Sequence, residues 1–515
     1  MSMKDASISK KTFALAVLSG IFLFLSFPRY SVGFLAWFAL APLLLALKNK
    51  SILASLGIGF ITGLTYYIGI IYWISHVIVT YGHLPCWLGL VIMLLLASYL
   101  SIYVALFSAG VAYFRKNNIS DMLSAPLLWT TLEYIKSHLL TGFPWENLAY
   151  SQYLYKAVIQ IVDITGIYGL TFVIVFINVI LNDCLSSEKT QKVIVKEFIA
   201  GCVVFTVLYG YGVFRIEEVR QRIITSDNLE VLLVQGNIDQ SVKWSPKYQV
   251  ETINIYENLT RAENINPGGL IVWPETACPF FFQDIDEKHL RITDIAKDAK
   301  SYLLFGSPSY KRDGKNQLIY YNSAFILSPR GNILGRYNKV HLVPYGEYVP
   351  LRSIFPFIDK LTAGIGDFQS GEGFYPLSIG SHSLGTLICY EAILPEASRI
   401  YKKNGAELLI NITNDAWFGE TSAPYQHLSM TLFRAIENRL YLIRAANTGI
   451  SAIIDPIGRV VDRTRLFEKD NLKGTVKFSK IPSCYSKYGD IFVRLIILTT
   501  ILLFIYSIKR TVKEK

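Results

Sequence analysis

The feature that most limits how this chain can fold is a series of long apolar runs. An α-helix rises 1.5 Å per residue, so about 20 consecutive apolar residues cross the hydrocarbon core of a bilayer. Eight stretches approach that length: 12–27, 31–47, 52–79, 87–114, 122–140, 164–183, 195–214 and 490–508. About eight spanning helices are therefore expected, seven before residue 215 and one near the C-terminus. The first run is not read as a cleaved signal peptide. It ends in Ser26-Phe27-Pro28-Arg29-Tyr30 without a small-x-small cleavage site, and another apolar run follows at once.

Composition agrees. Of 515 residues, 52% are hydrophobic and only 17% charged, too apolar for a wholly water-soluble chain and too long for one domain. Residues 215–488 break the trend and read as an ordinary globular domain. The expected division is a membrane domain over 1–214, a water-exposed domain over 215–488, and an eighth helix with a basic tail over 489–515.

The net charge of +11 reflects membrane topology rather than nucleic-acid binding. Lys4, Lys10 and Lys11 precede the first run; Lys48 and Lys50 follow the second, and Arg115 and Lys116 the fourth. Lys189, Lys192 and Lys196 follow the sixth, and Lys509, Arg510, Lys513 and Lys515 the eighth. All fall on one side if the N-terminus is cytoplasmic, which places 215–488 outside the cytoplasm.

The fifth run carries Glu133, Lys136 and His138 near its outer end. Glu133 and Lys136 are three residues apart and can pair on one helix face, or both can snorkel at an interface. Thr141–Trp145 follows at the outer surface, with Trp145 either an interfacial belt residue or part of a lipid-binding wall. The six cysteines are Cys86, Cys184, Cys202, Cys278, Cys389 and Cys484. They form no CxxC or Cys/His cluster, so no metal site is expected, and nothing in the sequence points to an organic cofactor; a disulfide among Cys278, Cys389 and Cys484 stays open.

Residues 215–488 show short β-rich runs at Glu230–Val234, Leu270–Trp273, Tyr302–Phe305, Ser323–Ser328, Leu384–Cys389, Leu408–Thr413, Thr448–Ile454 and Leu472–Val476. Helical patterns lie at 248–265, 287–299, 391–403 and 424–444, and hairpin turns at 328–332 and 455–458. This alternation predicts an α/β sandwich. No P-loop or dinucleotide fingerprint accompanies it.

Three polar sites stand at predicted strand ends. Trp273-Pro274-Glu275 delivers a carboxylate, Tyr337–Glu347 a loop with Lys339, His341 and Glu347, and Thr386–Glu391 a strand that ends on Cys389 as a helix begins. A helix N-terminus would lower the thiol pKa and offer amides to an oxyanion. Together these sites supply a base, a cation and a nucleophile, the set that thiol acyl transfer requires.

These sites resemble the nitrilase superfamily of carbon–nitrogen hydrolases, which places Glu, Lys and Cys in this chain order. With the apolar helices, the whole chain resembles the apolipoprotein N-acyltransferase family of bacterial inner membranes. The resemblance rests on Gln235-Gly236-Asn237 with Trp244, Trp273-Pro274-Glu275, Lys339–Pro350, Cys389-Tyr390-Glu391, Asn414–Phe418 and Thr141–Trp145.

It implies a multi-pass membrane domain joined to a nitrilase-like αββα sandwich on the periplasmic side of the inner membrane. It also implies a ping-pong acyl transfer from a membrane phospholipid to the diacylglyceryl-cysteine amine of apolipoproteins. Catalytic roles fall to Cys389 as nucleophile, Glu275 as base and Lys339 as oxyanion cation and thiol activator. Glu347 would orient Lys339 or the amine, or cap its loop. Tyr390 would offer its backbone amide, Glu391 would complement a helix dipole, and Trp244 would line an acyl pocket or belong to the core. Phe280–Phe282, Ile354–Phe357 and Trp417-Phe418 are read as mobile lids or as core. Lys136 stands where the family leads one to expect Arg, which weakens a bidentate phosphate grip there. A monomer is expected. The alternatives are a membrane-tethered amidase with water as second nucleophile, and a catalytically silent binding domain on a transporter or receptor.

Overall fold

The computed structural model describes residues 8–513, apart from 186–188, 242, 345 and 349–366. It divides into two compact units, one of Met1–His76, Leu84–Glu217 and Tyr488–Lys515, the other of Val77–His83 and Glu218–Lys487.

The first unit is helical. Five helices among the described residues are long and apolar enough to cross a membrane: Ile52–Ile71, Cys86–Lys116, Ile167–Leu185, Gln191–Ile223 and Ile491–Thr511. The sequence reading expected about eight. The first run forms Lys10–Leu25, of 16 residues. The second breaks into a 3₁₀ turn, Gly33–Trp37, and a six-residue helix, Ala41–Ala46. The fifth forms Asp121–His138, which contains Pro126.

Ile52–Ile71 and Cys86–Lys116 pack backbone to backbone. A Cβ on Gly59 would lie 2.3 Å from the Ser108 hydroxyl, so only small residues permit the approach.

Glu133 and Lys136 of Asp121–His138 do not snorkel. Glu133 is 7% exposed and Lys136 2%. Glu133 accepts from Leu148 N at 2.7 Å and from the Thr171 hydroxyl at 2.7 Å. Lys136 donates to the Trp145 carbonyl at 3.5 Å and lies over the Tyr67 ring. Trp145 is not an exposed belt residue: it is 2% exposed and packs on Trp73, with ring centres 4.9 Å apart.

Among the described residues the second unit is a sandwich of two six-stranded sheets. The first sheet holds β1 (Asn228–Gln235), β2 (Leu270–Val272), β3 (Tyr302–Arg312), β4 (Leu318–Leu327) and β5 (Ile333–Asn338). The second holds β6 (Leu377–Ile379), β7 (His382–Ile388), β8 (Leu408–Thr413), β9 (Tyr441–Ala446), β10 (Ala452–Ile454) and β11 (Val460–Arg463). The last strand, β12 (Asp470–Lys477), returns to the first sheet, giving the orders β12-β1-β2-β3-β4-β5 and β11-β10-β9-β8-β7-β6.

Each sheet is built around three parallel strands, β1-β2-β3 and β7-β8-β9, with helical crossovers. Those crossovers are Pro246–Arg261 and Glu287–Ala299 in the first half, Pro395–Lys403 and Ala423–Asn438 in the second. The first half's core is aromatic: Trp273 stacks on Tyr256 at 5.1 Å and its indole N–H donates to the Thr260 hydroxyl at 3.0 Å.

Several expected elements differ. The helical pattern at 424–444 ends at Asn438, because Arg439 turns left-handed (φ 53°) and β9 begins at Tyr441. The strand expected at Thr448–Ile454 is regular only at Ala452–Ile454. Phe280 and Phe282 are buried in the core rather than free as a lid, and Phe281 packs edge-on against Tyr310 at 5.1 Å. Ile354–Phe357 lies outside the described residues.

Candidate active site

The sandwich delivers the three predicted side chains from strand ends. Glu275 follows β2, Lys339 follows β5 and Cys389 follows β7. Two of these ends are bent into the left-handed region: Thr276, next to Glu275, has φ 48° and Cys389 itself φ 53°. Such backbone is uncommon for side-chain-bearing residues and persists where surrounding contacts hold it.

Lys339 is 1% exposed and sits between two carboxylates, with Nζ 2.8 Å from Glu347 and 3.8 Å from Glu275. Asn322, on β4, ties both acids together. Its amide nitrogen donates to Glu275 Oε1 at 2.7 Å and to Glu347 Oε1 at 2.8 Å. The other Glu275 oxygen accepts from Asn414 N at 2.9 Å. Glu347 also accepts from Val343 N at 2.8 Å, so it both pairs with Lys339 and caps its own loop.

Burial alone would neutralise Lys339, but Glu347 and Glu275 outweigh it and hold its pKa above the usual lysine value, so it stays an ammonium. Burial raises Glu275, while Lys339 works against that rise and Glu347 adds to it.

Cys389 is half-buried. The expected helix behind it is only a 3₁₀ turn, Cys389–Ile393, and the regular helix starts at Pro395. The thiol is accordingly not depressed. Burial and the charge of Glu275 push it up to about 12, with Lys339 and a hydrogen bond from Thr413 pulling the other way. A neutral thiol at rest needs a base at the moment of attack.

Glu391 does more than complement a helix dipole. It is fully buried and accepts four hydrogen bonds: from the Tyr337 hydroxyl, Val340 N, His341 N and Ile388 N, all between 2.8 and 3.0 Å. It thereby fastens the Lys339 loop to the strand that carries Cys389. Burial pushes its carboxyl up to about 7, against the pull of Lys339 and of these donors.

Tyr390 stacks on His341 at 5.9 Å. Trp244 is half-buried, directly after the fully buried Lys243, which donates to the Glu275 carbonyl at 3.2 Å. Trp417 is half-buried and lies edge-on to Tyr81, in the 77–83 segment of the same unit, at 4.9 Å.

Similarity to known proteins follows the same division. The chain matches the family model for the apolipoprotein N-acyltransferase N-terminal domain over residues 19–180 and the carbon-nitrogen hydrolase model over 231–485. It is 46% identical to the apolipoprotein N-acyltransferase of Geobacter metallireducens over 94% of this chain and 93% of that one. The chain belongs to the apolipoprotein N-acyltransferase family.

Its relative from Rickettsia prowazekii is 33% identical over 86% of this chain and 88% of that one. Among solved structures, Saccharomyces cerevisiae Nit3 of the nitrilase superfamily is 18% identical, covering 50% of this chain and 92% of that one, with a TM-score of 0.39. A carbon-nitrogen hydrolase from Helicobacter pylori G27 is 19% identical over 53% and 94%, with a TM-score of 0.37.

The structure of this N-acyltransferase family member adds a layer that sequence reading missed. His427 reaches the Cys389 carbonyl with Nε2 at 3.3 Å. Its Nδ1 lies 3.1 Å from Asp415, and Arg444 donates to Asp415 at 2.6 Å. All three are buried. Burial and Arg444 lower the His427 pKa, which favours a neutral ring held between Asp415 and the Cys389 carbonyl. The network thus clamps the bent backbone of Cys389 from behind. Asn414 and Asp415 belong to a stretch the sequence singled out, whereas Asn322, His427 and Arg444 gave no local signal.

Proposed function

We propose that this chain transfers an acyl chain from a membrane phospholipid to the amino group of the diacylglyceryl-cysteine of apolipoproteins, through a thioester on Cys389. The observation that carries this reading is the meeting of Glu275, Lys339 and Cys389 at strand ends in a member of this family.

In the first step the Cys389 sulfur attacks the ester carbonyl carbon while Glu275 takes the thiol proton. Lys339, held charged by two carboxylates, faces the oxyanion that forms. The C–O bond breaks, the proton passes from Glu275 to the leaving oxygen, and a lysophospholipid departs. In the second step the lipoprotein amine attacks the thioester, Glu275 takes a proton from the amine, the C–S bond breaks, and that proton passes to the Cys389 sulfur, restoring the thiol and the carboxylate. The amide is more stable than the thioester, which drives the transfer forward. Glu347 and Glu391 act as positioning residues, one on the Lys339 side chain and one on its loop.

The lysine-rich helix ends support an inner-membrane orientation with the catalytic unit, residues 218–487, on the periplasmic side. An amidase with the same three residues fits the site's chemistry, but its water-consuming second step does not fit the relatives' names.

Incubation of the purified chain with a diester phospholipid, followed by peptide mass spectrometry, tests the reading. An acyl adduct on Cys389 that disappears on adding an apolipoprotein peptide is expected. Absence of the adduct, or an equal adduct in Cys389→Ala, would overturn it.

A further inference from the structure

At the lysine-bearing end of the helical unit lies a groove of about 1160 Å³ that the acyl-transfer chemistry does not use. Two helix N-termini open onto it, those of Ile52–Ile71 and Asp121–His138, capped by Ser51 and Ser120. Both ends carry partial positive charge and favour an anion. Of the cations lining the groove, Arg115 is paired with Asp121 at 2.5 Å and Lys189 with Asp183 at 2.6 Å. Lys50 and Lys116 have no ion pair among the described residues. The charge available to a ligand there is therefore positive.

Two further features narrow the ligand. Ile52, Leu53 and Leu56 line one side and are 38%, 77% and 39% exposed, an apolar strip beside the cations. Asn182 also lines the groove. It is 4% exposed, yet its Oδ1 has no hydrogen-bond partner, and neither does the buried Oδ1 of Asp121. A buried acceptor left without a donor is costly, so a bound group with a hydrogen to donate is favoured there.

We infer that this groove holds the headgroup of a glycerophospholipid from the adjacent leaflet, separate from the acyl donor. The phosphate faces Lys50, Lys116 and the two helix ends. A glycerol hydroxyl or an ammonium beyond it donates to Asn182 and Asp121, and an acyl chain lies along Leu53 and Leu56. Phosphatidylglycerol and phosphatidylethanolamine meet these demands; phosphatidylcholine has no hydrogen to donate.

Diether analogues test this, because they carry no ester for Cys389 to attack. The full chain in detergent is titrated with diether phosphatidylglycerol, phosphatidylethanolamine or phosphatidylcholine, and thermal unfolding and bound-lipid number by native mass spectrometry are read. The first two should stabilise the chain at lower concentration than the third. In K50Q/K116Q the half-saturating phosphatidylglycerol concentration should rise roughly thirtyfold, at about 1 kcal/mol per lysine. Leu53→Glu, at an exposed position, should weaken lipid binding in the same way.

An unchanged half-saturation in both variants would overturn the site. Equal stabilisation by phosphatidylcholine would overturn the roles of Asn182 and Asp121. Equal stabilisation by sn-glycerol 3-phosphate would make the occupant a soluble phosphoester rather than a lipid.

Discussion

At the scale of single residues, the proposed mechanism pairs a neutral thiol with a carboxylate that must move a proton. Glu275→Gln keeps the shape of the side chain and the donor from Asn414 but cannot accept that proton. Acyl-enzyme formation should fall by about 10²–10⁴, read as the rate of adduct growth on Cys389. Glu391 gives a pH prediction. Its carboxyl stands near 7 in the fold and at an ordinary carboxylate value in the unfolded chain. The folded state therefore binds that proton more tightly. The resulting stability is complete at low pH and is lost as pH rises through about 7. Thermal unfolding of wild type, relative to Glu391→Gln, should decline between pH 5 and pH 8; a constant difference would rule the titration out. That Glu275, Lys339 and Cys389 stand at strand ends was legible because each ends an apolar strand or opens a turn-rich loop. Asn322 was not legible, since its value lies in bridging Glu275 and Glu347, partners 47 and 25 residues away. His427 and Arg444 were hidden for the same reason: a polar residue in an apolar helix or strand reads as an isolated exception until the fold shows what it faces.

At the scale of elements, the position of Glu275 depends on how closely β2 and β3 approach where the chain turns away from the sheet. A Cβ on Gly306, in β3, would lie 2.3 Å from Thr276 N and 2.7 Å from Glu275 Cα. Neither is the tip of a flexible side chain, so the backbone that carries the base must shift. Gly306→Ala should destabilise the catalytic unit by about 1–3 kcal/mol, as overpacking does. It should also slow acyl-enzyme formation more than it changes phospholipid half-saturation. Equal wild-type rates at full folding would show that the approach is not needed. Element-level reading worked where periodicity was strong: β8 was placed at its observed ends, and the helix at 287–299 likewise. It failed where a residue pattern suited two periods. Leu440–Ile443 continues the apolar face of the preceding helix, and only the left-handed turn at Arg439 converts it to β9. β5 and β11 are short and mostly exposed, so they lack the apolar alternation that marks a strand.

At the scale of the whole molecule, the claim that matters most is sidedness, because a phospholipid donor and a lipoprotein amine must reach Cys389 from the same compartment. The lysine-bearing helix ends favour the proposed orientation, and two existing cysteines report on it without any substitution. Cys484 is exposed in the catalytic unit, and Cys184 is exposed near the end of Ile167–Leu185, just before Lys189. A membrane-impermeant maleimide applied to cells with a permeabilised outer membrane should label Cys484 at once. Cys184 should react only after the inner membrane is opened, since the proposed orientation places its lysine-bearing helix end in the cytoplasm. Cys278 is buried and its thiol pKa is raised by that burial, so it should stay unlabelled in the folded chain and serve as an internal control. Labelling of Cys184 before Cys484 would invert the topology and place the acyl transfer in the cytoplasm. Simultaneous labelling of both in sealed cells would break the link between the basic helix ends and orientation on which the periplasmic assignment stands.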